Sequence, residues 1–385
     1  MPILWLFILI QLVLAIRVIV RFLSTTGGTT IVVEPRAWIP DGSISVVVPV
    51  FNEFDRLGSC LDKLIGCGRE VREILVVDGG STDGTQKIIQ SYAQTDPRVR
   101  AIDATPTPAG WNGKAWNLEC GLLASSPDSK WIATIDADVR VRPALLHAMV
   151  DHAQNRKVKA LSVATKQELS DLASGIVHPS MLTTLVYRFG LPGKATKVVR
   201  DVQANGQCFL ALRDLLIATN AFARARTSVC EDVTVARLIA KAGHRVGFYE
   251  AGELAVVRMH ESWRQTWRNW PRSLTLRDGI APRDNALGLA EVVFVQALPL
   301  AVLIGLALLG HASLQRSAAF GVNEILLVLR IGVLAGARRA YRNSAWTYWL
   351  SVFADLPVAA VLLASALRRR HTWRGRPLVM TERIT

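Results

Sequence analysis

No C-x-x-C pair occurs among the five cysteines, Cys60, Cys67, Cys120, Cys208 and Cys230, and their number is odd. A thiolate-framed zinc site and a disulfide scaffold are therefore not expected. Each cysteine reads as a small buried hydrophobe in a reduced compartment. Acidic charge is also short: 31 Asp and Glu stand against 45 Lys and Arg, a formal net charge of +14. No nucleic-acid recognition motif with base-stacking aromatics accompanies that excess, so no nucleic-acid partner is expected. A chain lying against the anionic cytoplasmic leaflet accounts for it more simply, because such a surface attracts each nearby Lys or Arg.

Two further absences narrow the reading. No Lys or Arg precedes the apolar run 3–20, and Arg17 and Arg21 stand at its end. A secretory signal has the reverse layout, so residues 1–23 are expected to be an uncleaved membrane anchor, with the C-terminal end of the run in the cytoplasm. Neither a G-x-x-x-x-G-K-[ST] nor a G-x-G-x-x-G loop occurs, and no internal repeat is evident.

What is present is apolar. Half of the 385 residues are hydrophobic, which is high for an ordinary soluble domain and directs attention to membrane segments. After a Thr-, Gly- and Pro-rich linker, 24–43, residues 44–280 alternate short apolar runs with helical patterns. ISVVVPV (44–50), EILVVD (73–78), VRAID (99–103) and WIATIDAD (131–138) suit buried strands, with helices expected over 56–65, 85–93 and 143–152. Such alternation implies a mostly parallel α/β sheet that binds ligands at the carboxyl ends of its strands. Beyond it, 287–310 and 346–367 are each long enough to cross a bilayer. A third run, 322–337, is shorter and contains Glu324 and Arg330. If the basic tail 368–385 is cytoplasmic, parity makes that third run interfacial or re-entrant within a membrane region spanning 287–367.

Six short stretches carry residues suited to chemistry. Asp136-Ala137-Asp138 closes an apolar strand, where paired carboxylates can share a hard cation such as Mg2+ or Mn2+; Asp138 can equally cap the helix that follows. VVDGGSTDGT (76–85) places Asp78 at a strand end before a glycine-rich turn, either a nucleotide-binding loop or an ordinary strand-to-helix turn. Asn52 and Glu53 stand at the end of the first strand, as ligand contacts or with Asn52 as a helix cap. In GWNGKAWNL (110–118), Lys114 can reach a diphosphate as a point charge or remain solvated. Glu231 and Asp232 open a helix, favoured there by its dipole or serving as general base. The stretch 263–274, WRQTWRNWPRSL, has the composition of an interfacial aromatic-basic belt.

Taken together and in this order, from about Ser43 to Leu274, these motifs resemble glycosyltransferase family 2, inverting enzymes of the GT-A fold. The resemblance implies a nucleotide-sugar donor and a divalent metal. It places Asp78 at the nucleobase or ribose, Lys114 near the diphosphate, Asp136 and Asp138 in the D-x-D motif, and Asp232 as catalytic base. Asn52 and Glu53 join the donor-binding set, with Asp138 as metal ligand. The family's Q/R-x-x-R-W motif, which marks processive synthases, is not matched strictly. Arg268, Trp270 and Arg272 are the nearest residues and, with Glu231, are candidate acceptor or diphosphate contacts. The stretches PAGWNGKAW, ANGQCFLALR, SVCEDVTVARLIAKAGHRVGF and VRMHESWRQTWRNWPRSL are similar to those of bacterial carotenoid glycosyltransferases, including those acting on myxol, chlorobactene and diaponeurosporenoate. That likeness implies one sugar moved to a membrane-embedded carotenoid, at a multi-pass protein of the inner membrane. The alternatives are another lipid acceptor (a sphingolipid, a hopanoid-pathway lipid or a polyprenyl phosphate) or a non-catalytic membrane protein that binds nucleotide-sugars.

Overall fold

The computed structural model describes residues 2–34, 37–309, 313–368, 371–373 and 376–378. Arg36, and Arg369, Arg370 and Arg374 of the basic tail, lie outside them. The chain forms two compact units, each discontinuous in sequence. One comprises residues 28–167, 192–258 and 370–385, the other residues 1–27, 168–191 and 259–369.

The first unit is built on a nine-stranded mixed sheet. Its strands are β1 (Ile44–Val50), β2 (Val71–Asp78), β3 (Val99–Asp103), β4 (Trp131–Ile135), β5 (Val139–Val141), β6 (Ala160–Gln167), β7 (Lys194–Thr196), β8 (Cys208–Leu212) and β9 (Val246–Val257). They run in the order β3-β2-β1-β4-β8-β6-β9-β5, with β7 paired to β9. The half formed by β3, β2, β1 and β4 is wholly parallel. β8 then enters antiparallel to both β4 and β6. Every residue of β1 and β4 is buried. That matches their unbroken apolar composition, since a strand covered on both faces has no side to give to water. Val47, Leu75, Val77, Ile132 and Phe209 of the sheet share one core with Val235 and Ile239 of the Glu231–Lys241 helix.

The fourth apolar run departs from expectation in a useful way. β4 stops at Ile135, and Asp136-Ala137-Asp138 forms a turn before β5. The Asp136 N–H donates to Gln207 O at 3.2 Å, and the Val139 N–H donates to Asp136 O at 3.0 Å. The following helix, Leu145–Asn155, begins too late for Asp138 to cap it. The helix after β1 likewise starts at Phe54 with Glu53 at its cap, so Asn52 is not its cap.

The second unit is helical. Four of its helices, Ile3–Thr25, Pro282–Leu308, Leu314–Ala340 and Trp346–Leu367, are long and apolar enough to cross a membrane. The third corrects the length read for 322–337. Polar residues such as Gln315 and Arg316 hide its first turns from a hydropathy reading, yet the helix is continuous from Leu314. Polar residues tie these helices together. Gln11 and Asn323 exchange amide hydrogen bonds at 2.8 and 3.1 Å. Arg17 and Arg21 both reach the buried Glu291, at 2.9 and 2.8 Å. Arg330 grips Asp355 through two bonds of 2.7 and 2.9 Å. A π-helical turn, Val292–Ala297, carries Gln296 to the same carboxylate at 3.0 Å.

Candidate active site

The carboxyl ends of β1 and β2 lead into two interlocked loops. Asn52 adopts φ 55°, and its Oδ1 accepts from the Thr82 N–H at 2.9 Å. Its own N–H donates to Ser81 Oγ at 2.8 Å. The Glu53 N–H donates to Thr85 Oγ1 at 2.9 Å, and the Phe54 N–H to Asp83 Oδ2 at 3.0 Å. Asp78 is held by the same loop: Oδ1 accepts from Ser81 N–H and Oγ, and Oδ2 from Gln86 Nε2, at 3.0, 2.6 and 3.0 Å. VVDGGSTDGT is thus more than a turn, because its side chains fix the β1 loop as well as their own.

Beside these loops the acids gather around one cation. Lys114, the second residue of the Gly113–Ala124 helix, places Nζ 2.8 Å from Asp136 Oδ1 and 2.9 Å from Glu231 Oε1. Burial alone would lower its pKa, but Asp136, Glu231 and Asp232 together hold it well above the ordinary lysine range. Lys114 is therefore not a solvated lysine. Asp232 is pushed up to about 7 by burial and by the neighbouring Glu231 charge, with Lys114 opposing. Asp138 is also raised to about 7, by burial and by repulsion from Asp136. Its Oδ1 is buried without a hydrogen-bond partner. Glu53, paired to Arg56 at 3.0 Å, adds a further negative charge near Asp138. Sequence motifs spread from residue 53 to 232 thus meet in one electrostatic cluster, in which acids outnumber cations.

Comparison with known proteins bears on what this cluster belongs to. Residues 45–197 match the family described as Glycosyl transferase family 2. A lipopolysaccharide core biosynthesis glycosyltransferase, LpsC, of Rhizobium meliloti is 35% identical over 107 residues, covering 28% of this chain and 36% of the relative. The dolichyl-phosphate β-glucosyltransferase of Dictyostelium discoideum is 32% identical over 116 residues, covering 28% and 34%. The chain thus spans about a third of the length of the curated relatives it matches. Among solved structures, the mannosyltransferase PcManGT of Pyrobaculum calidifontis, in complex with GDP-Man and Mn2+, aligns over 93% of this chain and 99% of its own. Its TM-score is 0.54 at 21% identity. Residues 45–197 are thus similar to family 2 glycosyltransferase domains. The surrounding α/β architecture is of the GT-A type.

The family 2 match takes in Asn52, Glu53, Asp78, Lys114, Asp136 and Asp138 but ends before Glu231 and Asp232. The structure brings those two acids to the domain's lysine. It also adds a residue that sequence reasoning did not single out. Asn205-Gly206-Gln207 runs along the site, and a Cβ on Gly206 would stand 3.0 Å from Lys114 Nζ and 3.3 Å from Asp232 Oδ2. The loop is pinned by Ser162 Oγ, which donates to Asn205 O at 2.9 Å and accepts from its N–H at 2.7 Å. The signal for Gly206 was a glycine between two amides just before a strand, legible only once the fold places it against Lys114. Arg268, Trp270 and Arg272 lie on the Trp263–Leu274 helix of the helical unit. There the Trp270 ring packs on His178, with centroids 4.3 Å apart.

Proposed function

We propose that the chain is an inverting glycosyltransferase that moves one sugar from a nucleotide-sugar to a hydroxyl, or carboxyl, of a membrane-embedded carotenoid. The 2'-hydroxyl of a myxol-type carotenoid is the acceptor we favour. The observation that carries the reading is the meeting of Lys114 with Asp136 and Glu231 beside Asp232, at strand ends of a family 2 domain. In this reading 44–280 is catalytic, 24–43 a linker, and 1–23 and 287–367 are membrane segments. The protein sits in the inner (plasma) membrane with the catalytic region on the cytoplasmic side, where nucleotide-sugars are made.

The chemistry is a single displacement. Asp232 takes the proton of the acceptor hydroxyl as that oxygen bonds to the anomeric carbon. The bond from that carbon to the diphosphate oxygen breaks, and its electron pair leaves with the nucleoside diphosphate. A carboxylate with pKa about 7 suits general-base work at neutral pH. The Lys114 ammonium stabilises charge building on the diphosphate, and Asp78 with Asn52 and Glu53 shapes the donor side. Arg268, Trp270, Arg272 and Glu231 are candidate acceptor or diphosphate contacts.

The residues also fit a divalent metal. Asp138 Oδ1 is a buried acceptor without a partner, and Asp136 precedes it by two residues. Among the described residues no three His, Cys, Asp or Glu form a metal cluster by themselves. Asp138 and Asp136 would hold Mg2+ or Mn2+, with diphosphate and water oxygens completing the shell. When bound, the ion supplies Lewis-acid stabilisation of the leaving group. The solved neighbour with GDP-Man and Mn2+ supports a nucleotide-sugar and a metal for this chain too.

Four apolar helices supply a surrounding from which the acceptor need not be extracted. Removing a long hydrocarbon from the bilayer would cost about 0.8 kcal/mol per CH2. Deleting the gene in its host and profiling pigments and glycolipids by mass spectrometry tests the acceptor. An accumulating carotenoid aglycone is the expected result. The dolichyl-phosphate relative favours a second reading, transfer to a polyprenyl phosphate. Unchanged pigments with loss of a glycosylated polyprenyl phosphate would replace the first reading by the second.

A further inference from the structure

Asn112 stands at the amino cap of the Gly113–Ala124 helix with the extended backbone of a cap, φ −80° and ψ 136°, yet its side chain makes no cap hydrogen bond. An asparagine there normally accepts from an amide in the first turn. The side chain is directed elsewhere. Nδ2 donates to Ser228 O at 2.9 Å, and the backbone N–H donates to Arg226 O at 2.7 Å. The residue is 6% exposed. Ser228 in turn organises the start of the Glu231–Lys241 helix. Its Oγ accepts from the Cys230 N–H at 3.1 Å and lies 2.8 Å from Thr234 Oγ1.

One asparagine therefore ties together the entrances of two helices. The second residue of one is Lys114, and the first two of the other are Glu231 and Asp232. The two helices also share one core through Leu118, Leu122, Val235 and Ile239, and the Asn112 bond adds a direct tie at their starts. With the clasp in place, the 2.9 Å contact between Lys114 Nζ and Glu231 Oε1 has a fixed frame.

We propose that Asn112 is a positioning residue for glycosyl transfer, holding Lys114 in register with Glu231 and Asp232. The proposal rests on the glycosyl-transfer reading of the site. It acts through geometry: a misplacement of about 1 Å at a reacting group can cost on the order of 100-fold in rate. Asn112→Ala removes the bond to Ser228, whereas Asn112→Asp keeps the shape but offers a carboxylate that cannot donate to the Ser228 carbonyl.

The test uses full-length protein in detergent and reads three quantities. For both variants kcat is expected to fall about 10- to 100-fold with donor KM within about threefold, because ground-state donor contacts stay in place. Thermal melting stays cooperative. Acylation of Lys114 by an amine reagent, followed by peptide mass spectrometry, accelerates severalfold, since a lysine loosened from Glu231 and Asp136 is more open to the reagent. A lowered melting temperature with unchanged kcat and unchanged Lys114 reactivity would reduce Asn112 to a structural brace and overturn the proposal. If wild-type protein neither transfers nor hydrolyses any nucleotide-sugar, the functional reading itself fails. The labelling result still decides whether Asn112 holds Lys114.

Discussion

The two units treat buried charge differently. In the helical unit the buried acids are matched: Asp355 takes two bonds from Arg330 and others from Gln296 and Ser180, and Glu291 takes Arg17 and Arg21. In the α/β unit Asp136, Asp138, Glu231, Asp232 and Glu53 share Lys114 and Arg56, and Asp138 keeps a buried oxygen without a donor. Matched buried charges hold helices in register, since leaving one unpaired costs several kcal/mol. An excess of acids over cations in a buried cluster is a feature of sites that take a cation or a cation-carrying ligand. The contrast separates a structural use of polar residues from a chemical one.

The sharpest way to break that contrast is at Asp138. Asp138→Ala is expected to abolish transfer and the metal dependence of donor binding without unfolding the protein, because it removes a repelled carboxylate rather than a partner. Donor affinity measured with and without Mn2+ checks it: a mutant that retains the wild-type metal dependence removes Asp138 from the metal site. Next in size is Asp232→Asn, expected to bind donor normally while kcat falls by about 10²–10⁴-fold. The wild-type rate should decline as pH drops below about 7, where Asp232 takes up a proton, and the variant's small residual rate should lack that acidic limb. Joint loss of donor affinity and turnover would make Asp232 a donor ligand instead.

How much of this was legible beforehand differs by unit. The parallel strands β1 to β4 were readable because strands buried on both faces are continuous apolar runs, and Asp78, Asp136 and Lys114 were readable from their place at strand ends and loops. The meeting of Lys114 with Glu231 was not, because 117 positions of chain separate them and no periodicity encodes that pairing. Gly206 lies within the stretch ANGQCFLALR, but its place beside Lys114 was hidden for the same reason. In the helical unit hydropathy located the first, second and fourth apolar helices. The start of the third was lost because Gln315, Arg316 and Ser317 interrupt the apolar pattern there. Arg17 and Arg21, read as topology signals at the end of the first run, also bind Glu291, which no charge count would reveal.

The matched side of the contrast predicts an asymmetry. Arg330 and Asp355 are 1% and 2% exposed in their side chains. Arg330→Met alone should destabilise the protein by about 3–5 kcal/mol, because it strands the Asp355 carboxylate. The double variant Arg330→Met with Asp355→Leu should recover most of that loss. Chemical unfolding in detergent, with transferase activity followed in parallel, measures both. A double variant as unstable as the single one would mean that the pair contributes more than charge balance.

The smallest expected effect is at Gln11 and Asn323, whose amides exchange two hydrogen bonds while Asn323 also donates to Ala319 O at 2.8 Å and Gln11 to Phe294 O at 3.0 Å. No charge is involved, and in a bilayer the separated helices would find other partners for such groups. Interhelical bonds of this kind contribute roughly 0.6 kcal/mol on average and up to about 2. Gln11→Leu should therefore lower stability by about 1 kcal/mol and leave kcat unchanged. The loss should be smaller than for Arg330→Met, since Asn323 keeps its bond to Ala319. Measuring Gln11→Leu, Asn323→Leu and the double variant as a cycle isolates the pair from the backbone bonds each amide also makes. A coupling near zero would assign the whole effect to those backbone bonds. A drop in kcat at unchanged stability would extend the chemical role of polar residues into the helical unit and erase the distinction between the two.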